Sequence, residues 1–263
     1  MKTFLVKDIK DFYDAIDLIH TDTMESILKR RYMTTTPSLW YRGQANSEWP
    51  LIPSIQRNNN SFYEQVLCHS FYHNAKQIME HSISKSSYHR WLSLMQHYGL
   101  PTRMLDWTYS PLVSLFFAVN DNNNLDKDAS IFVLIPEFLN KKQGFDPYIY
   151  PIDSYSAKPL IKSAFKKRDT TNKVLSCFST SNDLRLYVQR AAFTIHDSSQ
   201  CIETLCDEDS LYRINIPYSN KSYFKKVLDL LDYNESVLFP DLSHVASQAI
   251  NRHIKKLKDN YDE

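Results

Sequence analysis

The apolar residues at the start of the chain recur every three or four positions. Ile9, Phe12, Tyr13, Ile16 and Ile19 share one side of a cylinder, so the stretch from Val6 to Ile19 predicts an amphipathic helix. The period then changes. Leu39-Trp40-Tyr41-Arg42 reads as a short strand ending at Gly43, and Pro50 and Pro53 keep Ser47–Ser54 extended or turned. From Phe62 to Ile83 a second helical pattern aligns Val66, Leu67, Phe71, Ala75, Ile78 and Met79, and Trp91 to Tyr98 form a third. Gly99 should end that third helix as its C′ residue, with Pro101 blocking resumption. Ser110-Pro111 has the form of an N-cap followed by proline at the first helical position, opening an apolar helix over Leu112–Val119. The stretch from Arg103 to Thr108 lies between these signals and reads as a junction, where sites tend to be built.

The second half is less regular. Ser130–Ile135 is a β-branched strand, Arg185–Ile195 alternates well enough for a strand with Phe193 and Ile195 on one face, and Tyr212–Ile216 is another. Helices are expected over Ser219–Leu231 and Ser243–Leu257. Together the elements predict an α+β fold, a small mixed or antiparallel sheet flanked by helices. The core domain is expected over 37–218, with a helical segment over 1–36 and another over 219–263 packed on the core.

Composition sharpens this picture at one point. The 263 residues include three glycines, where average usage of about 7% would give roughly eighteen. Two of them sit in the most unusual runs, Trp40-Tyr41-Arg42-Gly43-Gln44 and Gln96-His97-Tyr98-Gly99-Leu100-Pro101-Thr102-Arg103. Each is preceded by an aromatic and lies beside an arginine, which suggests a cleft where backbone and guanidinium converge on an anion. Arg42 is the first anchor, a strand arginine whose following glycine lets a ligand lie against the backbone. His97, Tyr98, Gly99, Thr102, Arg103, Asp106, Trp107 and Thr108 crowd the second segment. Asp106 is expected to hold Arg103 or Arg42 in place. An ordinary turn at each glycine and a surface pairing for Arg42 are the plainer readings of the same residues.

Charge excludes more than it suggests. With 31 basic and 30 acidic side chains, the net charge of +1 argues against a protein built to coat nucleic acid. The one dense basic run, Lys158–Lys173, is either a solvated loop or a phosphate-facing one. Cys68, Cys177, Cys201 and Cys206 form no CxxC pair and the histidines no HExxH, so no metal site is expected. Three isolated glycines rule out GxGxxG and Walker loops, and no GxSxG elbow occurs. The longest apolar runs are too short to span a bilayer, and a soluble, cytoplasmic protein without a membrane partner is expected.

Several of these runs together resemble the FRG domain family, which is named for an aromatic-Arg-Gly motif and occurs largely in bacteria and their phages. The resemblance rests on Leu39–Gln44, Trp49-Pro50-Leu51-Ile52-Pro53-Ser54-Ile55-Gln56-Arg57, Gln96–Thr108 with Ser110-Pro111, and later on Gln189, Phe193 and Phe239-Pro240-Asp241-Leu242. Tyr41 stands where the family name has phenylalanine. A weaker resemblance links the chain to arginine-class ADP-ribosyltransferases. It implies an NAD-binding cleft with Arg42 on the pyrophosphate, Thr108 and Ser110 supporting the strand and the nicotinamide ribose, Tyr98 or Trp107 stacking on a ring, and Gln189 or Glu203 at the ribose. Arg42, Thr108, Gln189 and Glu203 are then the catalytic candidates. Tyr41, Gly43, Gln44, His97, Gly99, Arg103 and Asp106 join the cofactor-binding set. Gln189 falls where that family has a glutamate, and a neutral amide stabilises a developing oxocarbenium charge less well. The resemblance implies a toxin or anti-phage effector acting on a nucleic-acid or protein acceptor. The alternative is a non-catalytic module that binds a nucleotide or a nucleic-acid end.

Overall fold

The computed structural model describes residues 1–30, 36–79, 83–166, 170–180 and 184–239, with residues 242, 246, 249 and 250 beyond them. Apart from residues 246, 249 and 250, the expected helix Ser243–Leu257 lies outside the described residues, as do residues 167–169 of the basic run. In chain order the elements are β1 (Lys2–Leu5), α1 (Ile9–Lys29), β2 (Trp40–Gln44), α2 (Glu64–Ile78), α3 (Tyr88–His97), β3 (Met104–Thr108), α4 (Pro111–Val119), β4 (Ala129–Leu134) and α5 (Pro136–Lys142). There follow β5 (Tyr150–Pro151), α6 (Ala157–Lys162), β6 (Val174–Phe178), α7 (Leu184–Val188), β7 (Ala191–His196), α8 (Ile202–Leu205), β8 (Leu211–Ile216), α9 (Lys221–Leu230) and α10 (Glu235–Leu238). The fold is α+β. The eight strands make one mixed sheet in the order β1-β8-β4-β2-β3-β7-β6-β5, antiparallel except at the two outer pairs.

Local signals place several of these elements. Asp8 caps α1 by accepting from the Asp11 amide, and Ser110 caps α4 by accepting from the Val113 amide, with Pro111 at the first helical position. At the end of α3, Gly99 has φ +80°. Its amide donates to the Gln96 carbonyl at 3.0 Å and the Leu100 amide to the Met95 carbonyl at 2.9 Å, the paired bonds of a Schellman cap. Gly99→Ala should therefore destabilise the protein by about 1 kcal/mol, measured by urea denaturation, because only a residue without Cβ adopts this conformation freely. No atom lies close enough to clash with the added methyl, so an unchanged stability would remove the left-handed cap from the account.

Three expectations are corrected by the sheet. Residues Met104–Thr108 are a central strand, not a junction loop: β3 pairs with β7 along its length. The supposed strand Arg185–Ile195 splits into α7 and β7, because the polar and apolar positions of Leu184–Val188 wind a helical turn and Arg190, at φ +47°, then reverses the chain. The N-terminal segment contributes a strand as well as a helix, β1 running parallel to β8 from Lys2 opposite Tyr212.

The core divides into three clusters that follow the faces of the sheet. Residues opposite one another in a ladder share a face. One face is covered in two halves. Over β1, β8, β4 and β2, the side chains of Tyr41, Ile131, Val133 and Ile214 pack with Phe12 and Ile19 of α1, Phe116 of α4 and Phe224 of α9. Over β3, β7 and β6, Met104, Phe193, Ile195 and Leu175 pack with Trp91 and Met95 of α3 and Leu160 of α6. The opposite face buries Trp40, Leu105, Trp107, Phe132 and Leu134 under Leu51, Leu139 of α5 and Ile202 of α8. The seam between the two halves falls between β2 and β3.

Candidate functional site

The seam is where the ladder is thinnest. β2 pairs with β4 from Trp40 to Gln44, yet it meets β3 in one registered pair, Tyr41 opposite Thr108. Beyond that pair the two strands separate, and Arg42 bridges the gap with Nη1 donating to the Asp106 carbonyl at 2.6 Å. A cavity of about 490 Å³ occupies the opening. Its walls are β2 and β3, Val113, Ser114 and Phe117 of α4, Gln96 and His97 at the end of α3, Leu186 of α7 with Gln189, and Glu235 of α10 with Phe239. A smaller cavity of about 230 Å³ adjoins it across Arg42 and Asp106.

Electrostatics and hydrogen bonding single out two residues. Burial pulls the Arg42 pKa down to about 10, opposed by the Asp106 carboxylate and reinforced by Arg57, so the guanidinium stays cationic at neutral pH. Its Nε is buried without a hydrogen-bond partner. Gln44 is 3% exposed, and neither its Nε2 nor its Oε1 has a partner. Buried polar groups are almost always paired, and two residues of the cavity wall depart from that rule. Asp106 itself is exposed and held by Gln96, whose Nε2 donates to Oδ1 at 2.5 Å. Gln96 in turn accepts from Thr102 Oγ1.

The structure brings together most of the residues expected at the cleft. Tyr41, Arg42, Gly43, Gln44, His97, Asp106, Trp107, Thr108 and Gln189 all line the larger cavity. Some of them serve the fold. Tyr41 is a core residue whose hydroxyl pKa burial pushes up to about 12. Gly43 does not make room for a ligand: a Cβ there would stand 1.9 Å from the Ser114 carbonyl oxygen and 2.7 Å from the Ala118 nitrogen, so its role is the close approach of α4 to β2. Thr108 is buried, donating to the Gln189 carbonyl at 2.7 Å and accepting from the Ser110 amide, which ties β3 to the turn before β7. Trp107 cannot stack on a ligand ring, since its indole is buried in the core and Nε1 donates to Thr194 Oγ1 at 3.1 Å. Gln189 donates Nε2 to the Leu238 carbonyl at 3.0 Å.

Five expected residues are elsewhere. Tyr98 is exposed, with its ring beside Phe71, and Gly99 borders the smaller cavity alone. Ser110 is the helix cap. Glu203 lies at the start of α8, accepting from the Leu51 amide at 2.9 Å on the far face of the sheet, so it cannot stand in for a transferase glutamate. Arg103 points away from the cleft into a buried ion-pair cluster. Its Nε donates to Glu64 Oε1 at 2.9 Å and its Nη2 to Oε2, while Nη1 reaches Asp197 Oδ1 at 2.7 Å and the Leu160 carbonyl at 2.8 Å. Burial works against its charge, but the bonds to Glu64 and Asp197 outweigh this and raise its pKa above the ordinary arginine value. The two arginines therefore do not converge, and Asp106 meets Arg42 alone.

Sequence reasoning missed Arg57, Trp49, Gln96 and Glu235 as cavity residues. Trp49 and Arg57 fall inside the Trp49–Arg57 run, so the signal was present without a role attached. Nothing in the local sequence marks Glu235. Among the described residues no group of three or more His, Cys, Asp or Glu could hold a metal ion, and no helix is long and apolar enough to cross a membrane.

No curated protein and no solved structure matches the chain. The family model of the FRG domain matches residues 37–127, a span from just before β2 to just after α4. It contains the splayed strands, Arg42, Gln44, Gln96 and Asp106, and ends before α7 and α10 close the far wall. Residues 37–127 are thus similar to the FRG domain, and the Tyr41-Arg42-Gly43 run within them forms one side of the cleft.

Proposed function

We propose that the cleft binds a nucleotide-type ligand, with NAD the first candidate. Arg42 and Arg57 take the phosphates, and the Gln44 amide pairs with a polar group of the ligand. The observation that carries this reading is Gln44, a cavity residue 3% exposed whose amide donor and acceptor both lack partners. A buried unpaired polar group costs about 1–3 kcal/mol, a burden that ligand binding relieves. Cavity volume agrees, since small-molecule sites fall between roughly 300 and 1,000 Å³, and the apolar wall of Met104, Val113 and Phe117 suits a flat ring.

Gln44→Leu tests it in two directions. The free protein should gain about 1 kcal/mol in urea denaturation, because an apolar side chain of similar shape replaces an unpaired amide. Affinity for NAD or ADP, titrated by calorimetry, should fall at least tenfold. A Gln44→Leu protein that is less stable and binds as well as the parent would make Gln44 a structural residue and remove the main support for the reading.

A second reading, ADP-ribosyl transfer, is favoured by Glu235, a carboxylate at the first turn of α10 on the cavity wall. It supplies the acid that Gln189 lacks and that Glu203 is too distant to offer. Nicotinamide release during the same NAD titrations separates the two readings: none is expected from a binding module, while release that depends on added protein or nucleic acid establishes the transferase.

A further inference from the structure

The net charge of +1 averages over two unlike halves of the helical layer. On the face of the sheet that divides at the cleft, α1 covers one half and carries Asp11, Asp14, Asp17, Asp22 and Glu25 against Lys10 and Lys29. Helices α2, α3 and α6 cover the other half, and there the balance reverses. From Arg57 to Arg103 the acids are Glu64 and Glu80, and from Ser154 to Lys173 the one acid is Asp169, with Asp153 just ahead of that segment near His89. Glu64 is buried and bonded to Arg103, while Glu80 and Asp169 lie outside the described residues. Lys76, Lys85, Arg90, Lys158 and Lys166 are exposed, and neither they nor Lys162 form an ion pair with a described carboxylate.

The basic run resolves into a stripe along α6. The Lys158 amide donates to the Ser154 carbonyl at 3.0 Å and the Lys166 amide to the Lys162 carbonyl at 3.0 Å, so the helical path extends a few residues past α6 at each end. Tyr155, Lys158, Lys162 and Lys166 follow at three- and four-residue spacings and share one side of that path, opposite the buried Leu160, Ile161 and Ala164. Tyr155 is 93% exposed. Arg90, on the first turn of α3, extends the basic surface, since α3 packs beside α6 with the Tyr88 ring 4.9 Å from that of Phe165. Like charges four residues apart on a helix repel, so the stripe burdens the free protein and is relieved by an anion.

We infer that this stripe is a docking surface for a single-stranded nucleic acid, its phosphates on Lys158, Lys162 and Lys166 and a base stacked on Tyr155. Charge alone suits any polyanion. The exposed aromatic ring in line with the lysines selects a strand with unpaired bases, because such bases offer a face for stacking that a lipid headgroup, a polyphosphate or a closed duplex does not. One strand held on one side needs a local patch, which an overall charge near zero permits. None of the four stripe residues lines either cavity, so the inference stands apart from the nucleotide reading.

Fluorescence anisotropy of the whole protein with a labelled poly-dT strand of about 20 nucleotides tests it. Single-strand binding weakens with salt by a slope of about 0.7 per phosphate contact, so replacing Lys158, Lys162 and Lys166 together by glutamine should flatten that slope by about 2 and weaken binding about tenfold or more. Tyr155→Ala should weaken binding about fivefold and leave the slope unchanged, as loss of a stacked base requires. Absence of binding by the unaltered protein at low salt would overturn the inference, and so would a folded triple variant that binds like the parent. A duplex of the same length, inorganic polyphosphate or phosphatidylserine vesicles bound as tightly as the single strand would overturn the choice of occupant. These comparisons use the unaltered protein and hold even if a variant fails to fold.

Discussion

Replacing Gly43 by alanine is expected to abolish the folded domain or to destabilise it by about 3 kcal/mol or more. The added Cβ would meet the Ser114 carbonyl oxygen at 1.9 Å and the Ala118 nitrogen at 2.7 Å. Both are backbone atoms of α4, so no side chain can swing aside and the whole helix must retreat from β2. That helix buries Val113, Leu115, Phe116, Ala118 and Val119, and lifting it opens the core beneath. Overpacking typically costs about 1–3 kcal/mol and exceeds this where relief requires backbone movement. Urea denaturation reads the effect directly. A Gly43→Ala protein within 1 kcal/mol of the parent would mean that α4 and β2 are not packed as described, and would return Gly43 to the role of admitting a ligand.

Arg103→Ala should cost about 3–5 kcal/mol, the range for removing one partner of a buried ion pair. The substitution leaves Glu64 and Asp197 buried, with side chains 7% and 1% exposed, and opens a void beside Leu160. Its pH dependence is distinctive. In the parent, burial tends to raise the Asp197 pKa, but bonds from Ser163, Thr171 and Arg103 prevail and hold it below the ordinary value of 3.8. A carboxyl depressed on folding contributes stability that is present above its unfolded pKa and is lost as the pH falls through its folded pKa. The parent should thus gain stability as the pH rises through the region just below 4, and Arg103→Ala should lose part of that gain, Ser163 and Thr171 still holding the carboxylate. Ligand affinity, by contrast, should survive wherever the variant stays folded, because Arg103 borders neither cavity. A variant with parental stability and no binding would reverse the assignment.

These two residues also show what the sequence made legible. The Gly99 cap and the Ser110-Pro111 start of α4 could be read because their chemistry is complete within a few residues. Arg42, Gln44 and Asp106 could be placed in one cleft because their motifs are unusual in a chain so poor in glycine. The fate of Arg103 could not be read, since whether an arginine faces a ligand or a carboxylate depends on Glu64 and Asp197, 39 and 94 residues away. β3 was hidden for the same reason: its partner strand β7 arrives some ninety residues later, and a five-residue strand between two strong helix signals has no pattern of its own. Gly43 was correctly singled out as a close-approach glycine, but sequence alone does not say whether the approaching group is a ligand or a helix.

The single Tyr41–Thr108 pair between β2 and β3 has a topological consequence. In an antiparallel strand alternate backbone groups point to alternate neighbours, so past Tyr41 the half of the β2 backbone turned toward β3 has no ladder to join. Exposed strand edges are normally confined to the rim of a sheet, where they invite another chain to pair. Here a pair of edges lies at the centre of an eight-stranded sheet, walled in by α3, α4 and α10. What would be an aggregation hazard at the perimeter lies here in the interior, beside a cavity of small-molecule size.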